Sequence, residues 1–89
     1  MAAYSLYIKP SAGREIDGVG SKKDRRRIVG RIRELVEDPR PIGCEKLAGR
    51  DDCYRFRVGD YRAVYSIDDA RREIVILKVG HRREVYRER

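Results

Sequence analysis

Three short runs in the second half of the chain, residues 54–58, 61–67 and 74–79, leave it few ways to fold. Each is rich in aromatic and β-branched residues, which favour strands. Only the Gly59-Asp60 pair and the polar stretch 68–72 separate them, and connections that short force consecutive strands to pair antiparallel. Alternation then sorts the side chains. Tyr54, Phe56 and Val58 share one face, as do Tyr61, Ala63, Tyr65 and Ile67, whereas Arg55 and Arg57 take the other face of their strand. Arg62 opens that second face on the next strand, followed by Val64 and Ser66. The apolar set belongs to a core, so three arginines can converge on the opposite surface of one sheet.

The first half supplies what covers the core. Tyr4, Leu6 and Ile8 alternate with Ser5, Tyr7 and Lys9 before Pro10, which predicts a strand over 3–8. Residues 11–17 read as a short helix with Ala12 and Ile16 four apart, closed by Gly18 and Gly20. Ser21 and Asp24 have the spacing of a capping box, and Ile28, Val29, Ile32, Leu35 and Val36 fall on one helical face. Pro39 stops that helix, so it spans 22–38 and runs about 25 Å. Residues 39–52, with turn formers at Pro41, Gly43 and Gly49, read as a loop. A chain of 89 residues with 40% hydrophobic content builds one core, so residues 1–89 are expected to form a single domain. The expected fold class is α+β: two N-terminal helices packed on a twisted, mainly antiparallel sheet of about four strands.

A net charge of +7 on so short a chain attracts polyanions, so nucleic acid or an acidic protein is the natural partner. No run approaches the ~20 apolar residues of a membrane span, and the N-terminus carries no apolar stretch of signal-peptide length, so no membrane partner and a cytoplasmic location are expected. Cys44 and Cys53, nine positions apart, and the lone His81 do not make a tetrahedral zinc set; no metal site is expected. Two free thiols fit a reducing compartment.

The tail adds chemistry to the arginines. Directly after the last strand come Gly80, His81, Arg82, Arg83, Glu84, Val85 and Tyr86, a set that suits a phosphodiester. RNA brings its own nucleophile, the 2′-hydroxyl, so a nuclease acting on it must orient the backbone, move protons and stabilise a negative phosphorane. Arginine's planar donors match phosphate oxygens and keep their charge. Imidazole alone has an ordinary pKa near neutrality, about 6.5, which makes His81 the preferred proton carrier. Tyr86 can stack a splayed base. Taken one at a time, the same residues also read as a solvated basic face with a surface histidine.

Three segments go further. Lys46-Leu47-Ala48-Gly49, the run from Tyr54 to Tyr65 and the run from Val79 to Tyr86 resemble, in order and spacing, the RelE branch of the RelE/ParE toxin superfamily. The resemblance extends over nearly the whole chain, with Asp38-Pro39-Arg40 at the helix-to-loop junction. It implies a type II toxin, inhibited by a RelB-like antitoxin in a hetero-oligomer, which enters the ribosomal A site and cuts mRNA by 2′-hydroxyl attack without a cofactor. By position it implies backbone-binding and catalytic roles for Arg55 and Arg57, phosphate stabilisation by Arg62, a basic role near the leaving group for Arg82 and base stacking by Tyr86. With His81 as the proton carrier, Arg57, Arg62, His81, Arg82 and Tyr86 are the expected catalytic set, and Lys46, Arg50, Arg55 and Arg83 are expected to bind RNA. Where some relatives have lysines, this chain has Arg55 and Arg57, which are poorer bases, and that shifts weight onto His81. The rival implied by the superfamily is a ParE-like gyrase inhibitor; a third class is a basic domain that binds RNA or antitoxin without cutting.

Overall fold

The computed structural model describes residues 3–81. Strand β1 (Ser5–Ile8) leads into helices α1 (Pro10–Asp17) and α2 (Lys22–Glu34), then strands β2 (Glu45–Lys46), β3 (Cys53–Val58), β4 (Tyr61–Asp68) and β5 (Glu73–His81). The strands form one sheet in the order β1-β5-β4-β3-β2. The α+β class and the antiparallel β3-β4-β5 meander are as expected, with two differences. The sheet has five strands, because Glu45 and Lys46, inside the expected loop, pair with Arg55 and Tyr54. It is also mixed, since β1 runs parallel to β5, with Leu6 beside Ile74 and Ile8 beside Ile76. A two-residue edge strand has no periodicity to detect, and the partner of β1 lies more than sixty residues away.

Both helices begin where local chemistry says. Pro10 occupies the first turn of α1, where its missing N–H is not needed. Ser21 Oγ accepts the Asp24 N–H at 3.2 Å to cap α2. α2 is 13 residues long, about 20 Å, and stops at Glu34 rather than Asp38. The N–H groups of Leu35, Val36 and Glu37 each reach back only three residues, a tightened last turn ahead of Pro39. Ala12, Ile16, Ile28, Ile32 and Leu35 bury against Phe56, Ala63, Tyr65, Ile74, Ile76 and Val79, so the core lies between the helices and one face of the sheet. Among the described residues, no helix is long and apolar enough to cross a membrane.

One irregularity controls which residues reach the other face. Val64 stands opposite Lys78, but Tyr65 stands opposite Ile76, so Leu77 has no partner on β4. This bulge resets the alternation: Ile74 and Ile76 point into the core before it, and Val79 does so after it. Where β1 has already left the edge of β5, Glu15 of α1 takes over. Its Oε1 accepts the Val79 N–H at 2.8 Å, and its Oε2 lies 3.2 Å from Lys78 Nζ.

Two contacts tie down the segment after α2. The Tyr65 hydroxyl, inside the core, donates to the Pro39 carbonyl at 2.8 Å, and burial pushes its phenol well above the usual range. Tyr65→Phe removes that donor and is expected to destabilise the protein by about 1–2 kcal/mol, read as a lower urea midpoint at unchanged slope. Arg40 grips Asp69 through both terminal nitrogens, at 3.2 and 2.8 Å, and donates from Nε to Tyr54 Oη at 3.0 Å. Tyr4 Oη also donates to Asp69, at 2.8 Å. Arg40, and then Tyr4, hold the Asp69 carboxyl below the ordinary carboxylate range. A depressed carboxyl stabilises the fold above its unfolded-state pKa of about 3.9, and that contribution disappears as pH falls through the folded-state value. Wild type should therefore melt above Asp69→Asn at pH 7, and the gap should close on acidification to about pH 2. A gap unchanged with pH would exclude the carboxylate as its source.

Candidate active site

On the face of the sheet away from the helices, β3 and β4 bring guanidinium groups together. Arg57 and Arg62 are direct cross-strand partners, and Arg55 lies two residues further along β3. With Gly43, Glu45 and the Phe56 backbone segment between them, they line a cleft of about 250 Å³. Gly43 sits at φ +98°, a left-handed conformation that lets the chain turn from the end of the Pro39 segment into β2 beside the cleft.

The three arginines are not equivalent. Arg62 is 7% exposed, and its Nη1 donates to the Tyr61 carbonyl at 3.4 Å. Arg57 is exposed and Arg55 half-buried. Arg55 donates from Nε and Nη2 to the same oxygen of Glu45, Oε1, at 3.0 and 2.8 Å. Three cations against one carboxylate leave the cleft positive, and the burial of Arg62 weakens solvent screening of its charge. Like charges directly across a strand pair are unfavourable, so the Arg57–Arg62 pairing opposes stability and favours an anion placed between them.

The arginines expected from alternation are therefore together. Among the described residues, the other expected ones, Lys46, Arg50 and His81, are not with them. Lys46 stands opposite Tyr54, one residue out of phase with Glu45, and Arg50 lies on the exposed turn between β2 and β3. Neither lines the cleft. His81 pairs with Tyr61, its ring edge-on at 5.8 Å, and lines a groove on the α1 side with Glu15, Gly18, Val19 and Val79. This corrects the expected convergence of the imidazole with the arginines: the Leu77 bulge turns His81 to the face shared with the core. Arg82, Arg83 and Tyr86 lie outside the described residues. Sequence reasoning missed Glu45, because the strand that aims it exists only through its pairing with β3.

Among the described residues, no group of three or more His, Cys, Asp or Glu side chains is gathered as for a metal ion. Cys44 and Cys53 are both free thiols, and burial pushes the Cys53 thiol up, away from reactivity.

Residues 6–86 match the family described as ParE toxin of type II toxin-antitoxin system, parDE. The chain is 34% identical over 90 residues to the mRNA interferase toxin RelE of Escherichia coli strain K12, covering 97% of this chain and 93% of the relative. The mRNA interferase RelE of Shigella flexneri matches to the same extent. Among solved structures, the archaeal RelE–RelB complex from Pyrococcus horikoshii superposes with a TM-score of 0.78 at 31% identity, over 92% of this chain and 97% of that one. The intact E. coli RelBE toxin–antitoxin complex gives 0.76 at 31% identity, over 89% and 96%.

Proposed function

The chain belongs to the ParE toxin family of type II toxin–antitoxin systems, and from its RelE relatives we infer that it is the toxin of such a pair and an endoribonuclease that cuts messenger RNA. The observation that carries this reading is the facing pair of Arg57 and Arg62 in a positive cleft. A phosphodiester seated there has its nonbridging oxygens met by planar donors, and the phosphorane gains more from them than the ground state does, because charge concentrates on those oxygens as the 2′-oxygen attacks. Arg62, little exposed and fixed by its strand, is assigned the main stabilising role; Arg57 assists, and Arg55 binds the adjoining backbone. The products are a 2′,3′-cyclic phosphate and a 5′-hydroxyl.

In the sequence, Arg82 follows Gly80, the strand partner of Arg62, by two positions. Arg82 and Arg83 are assigned to the leaving-group side and the RNA backbone, and Tyr86 to base stacking. Lys46 and Arg50, outside the cleft, are assigned to flanking phosphates of a longer substrate. The partner that holds the toxin inactive is a RelB-like antitoxin in a hetero-oligomer, and the substrate is the message in the ribosomal A site, in the cytoplasm.

Primer extension on a defined message in a reconstituted translation system tests the reading. New ends inside codons should appear with ribosomes and toxin, and disappear when the antitoxin is added first. An intact message, with trapped DNA breaks in a gyrase assay, would transfer the protein to the ParE mode of action.

A further inference from the structure

One wall of the cleft hangs on very little sheet. β2 is two residues long, and its register rests on the pairings of Glu45 with Arg55 and Lys46 with Tyr54. A strand that short cannot hold its own position, so the wall formed by Gly43 and Glu45 is placed by whatever holds the chain ahead of it. The four residues before Glu45 are loosely seated: Ile42 is fully exposed, and the Cys44 N–H reaches back only to the Pro41 carbonyl, at 3.1 Å. The firm hold lies just upstream, where the Tyr65 hydroxyl grips the Pro39 carbonyl and the Arg40 guanidinium grips Asp69 and Tyr54. We propose that Arg40 is a positioning residue for message cleavage: its clasp on Asp69 and Tyr54 sets the cleft wall and, through Glu45, the direction of Arg55. The assignment rests on reading the cleft as the site of cleavage.

All three guanidinium nitrogens of Arg40 are engaged. Nη1 and Nη2 donate to the two oxygens of Asp69 at 3.2 and 2.8 Å, and Nε donates to Tyr54 Oη at 3.0 Å while the guanidinium lies 5.1 Å from the centre of the Tyr54 ring. Asp69, in the turn between β4 and β5, also accepts from Tyr4, the residue ahead of β1. Tyr54, on β3, stacks on the buried Tyr65 of β4 with ring centres 6.0 Å apart. One side chain thus ties the segment before β2 to both ends of the sheet. Exposed ion pairs ordinarily contribute little to stability, but a two-pronged arginine–carboxylate pair inside a network fixes direction.

The effect passes to the cleft through five residues of chain. Both Arg55 donors converge on Glu45 Oε1, at 3.0 and 2.8 Å, so Arg55 points where β2 places Glu45. Arg55 shares the cleft with Arg57 and Arg62, which their own strand pairing holds and which do not depend on the clasp. A shift of about 1 Å in a positioned group can cost up to about 10²-fold in rate.

Single-turnover cleavage by the full-length protein on programmed ribosomes, at a temperature where each variant is shown to be folded, tests this. Arg40→Ala should lower the rate at saturating toxin by about 10-fold or more, with the half-saturating concentration unchanged. Arg40→Lys, which keeps the charge but not the two-pronged grip, should recover part of that loss. The decisive readout is a double-mutant cycle: once Arg55 is replaced by alanine, removing Arg40 should cost little more, because the group it positions is gone. Asp69→Asn opens the clasp from the other side and should show the same non-additivity, so the proposal stays testable if Arg40→Ala folds poorly. An unchanged saturating rate in Arg40→Ala overturns the assignment, as do losses that multiply independently with Arg55→Ala, which would make the clasp a matter of stability alone. In both cases the cleavage function stands. If wild type itself leaves the message intact, the functional reading fails and the assignment falls with it.

Discussion

Arg62→Ala is expected to slow message cleavage by about 10²- to 10³-fold, or about 2.7–4 kcal/mol of transition-state stabilisation, without unfolding the protein. Arg62 is 7% exposed, so its charge acts where water screens poorly, and β4 fixes its direction before substrate arrives. Its contribution to stability is mixed. Arg62 stands directly across from Arg57, a like-charge pair that disfavours the folded sheet, but its guanidinium also hydrogen-bonds within the fold. Truncation removes both effects, which oppose one another, so the urea midpoint of the variant should stay close to that of wild type. Arg62→Lys keeps a charge but not the planar fork, and should fall between the two in rate. Single-turnover cleavage and urea denaturation on the same preparations decide the matter. Loss of activity together with loss of the midpoint would make Arg62 a structural residue, and retention of activity would remove it from the site.

The largest stability effect is expected at the residue between the two β3 arginines. Phe56 is 2% exposed, its ring lies 6.0 Å from that of Tyr65, and the Arg31 guanidinium of α2 stacks over it at 5.4 Å. It stands opposite Ala63, so the small partner leaves room that the ring alone fills. Phe56→Ala should destabilise by about 3–5 kcal/mol, from lost burial and the cavity left behind. Domains of this size hold only about 5–15 kcal/mol in total, so much of the variant should be unfolded at physiological temperature. Phe56→Leu, which keeps most of the volume, should lose far less. Urea denaturation measures both, and a shift under about 1 kcal/mol for the alanine variant would mean the core closes over the gap. Activity should follow the folded fraction, because Arg55 and Arg57 are aimed outward by the same strand that Phe56 anchors inward.

Much of the site's scaffold was legible in the residues themselves. The outward direction of Arg55, Arg57 and Arg62 followed from alternation, since a strand bearing Phe56, Ala63 and Tyr65 on one face has no other place for its arginines. The caps at Ser21 and Pro10 and the left-handed Gly59 in the β3–β4 turn, at φ +58°, depend only on neighbouring residues. Glu45 went unnoticed, and His81 was expected beside the arginines, for one reason. A side chain's face at a strand end depends on every residue between it and the last fixed pairing, and neither the short β2 pairing nor the Leu77 bulge leaves a mark in composition or period.

Sequence alone therefore determined the hairpins, the helical faces, the core set and the basic character of the outer sheet, because periods of two and 3.6 residues and turn chemistry act over a few neighbouring positions. The tertiary structure alone decided the parallel seat of β1 beside β5, the edge strand that carries Glu45 to Arg55, and the bulge that turns His81 away from the arginines. Those features are choices of partner and register between distant segments, and a shift of one residue in register sends every following side chain to the other face.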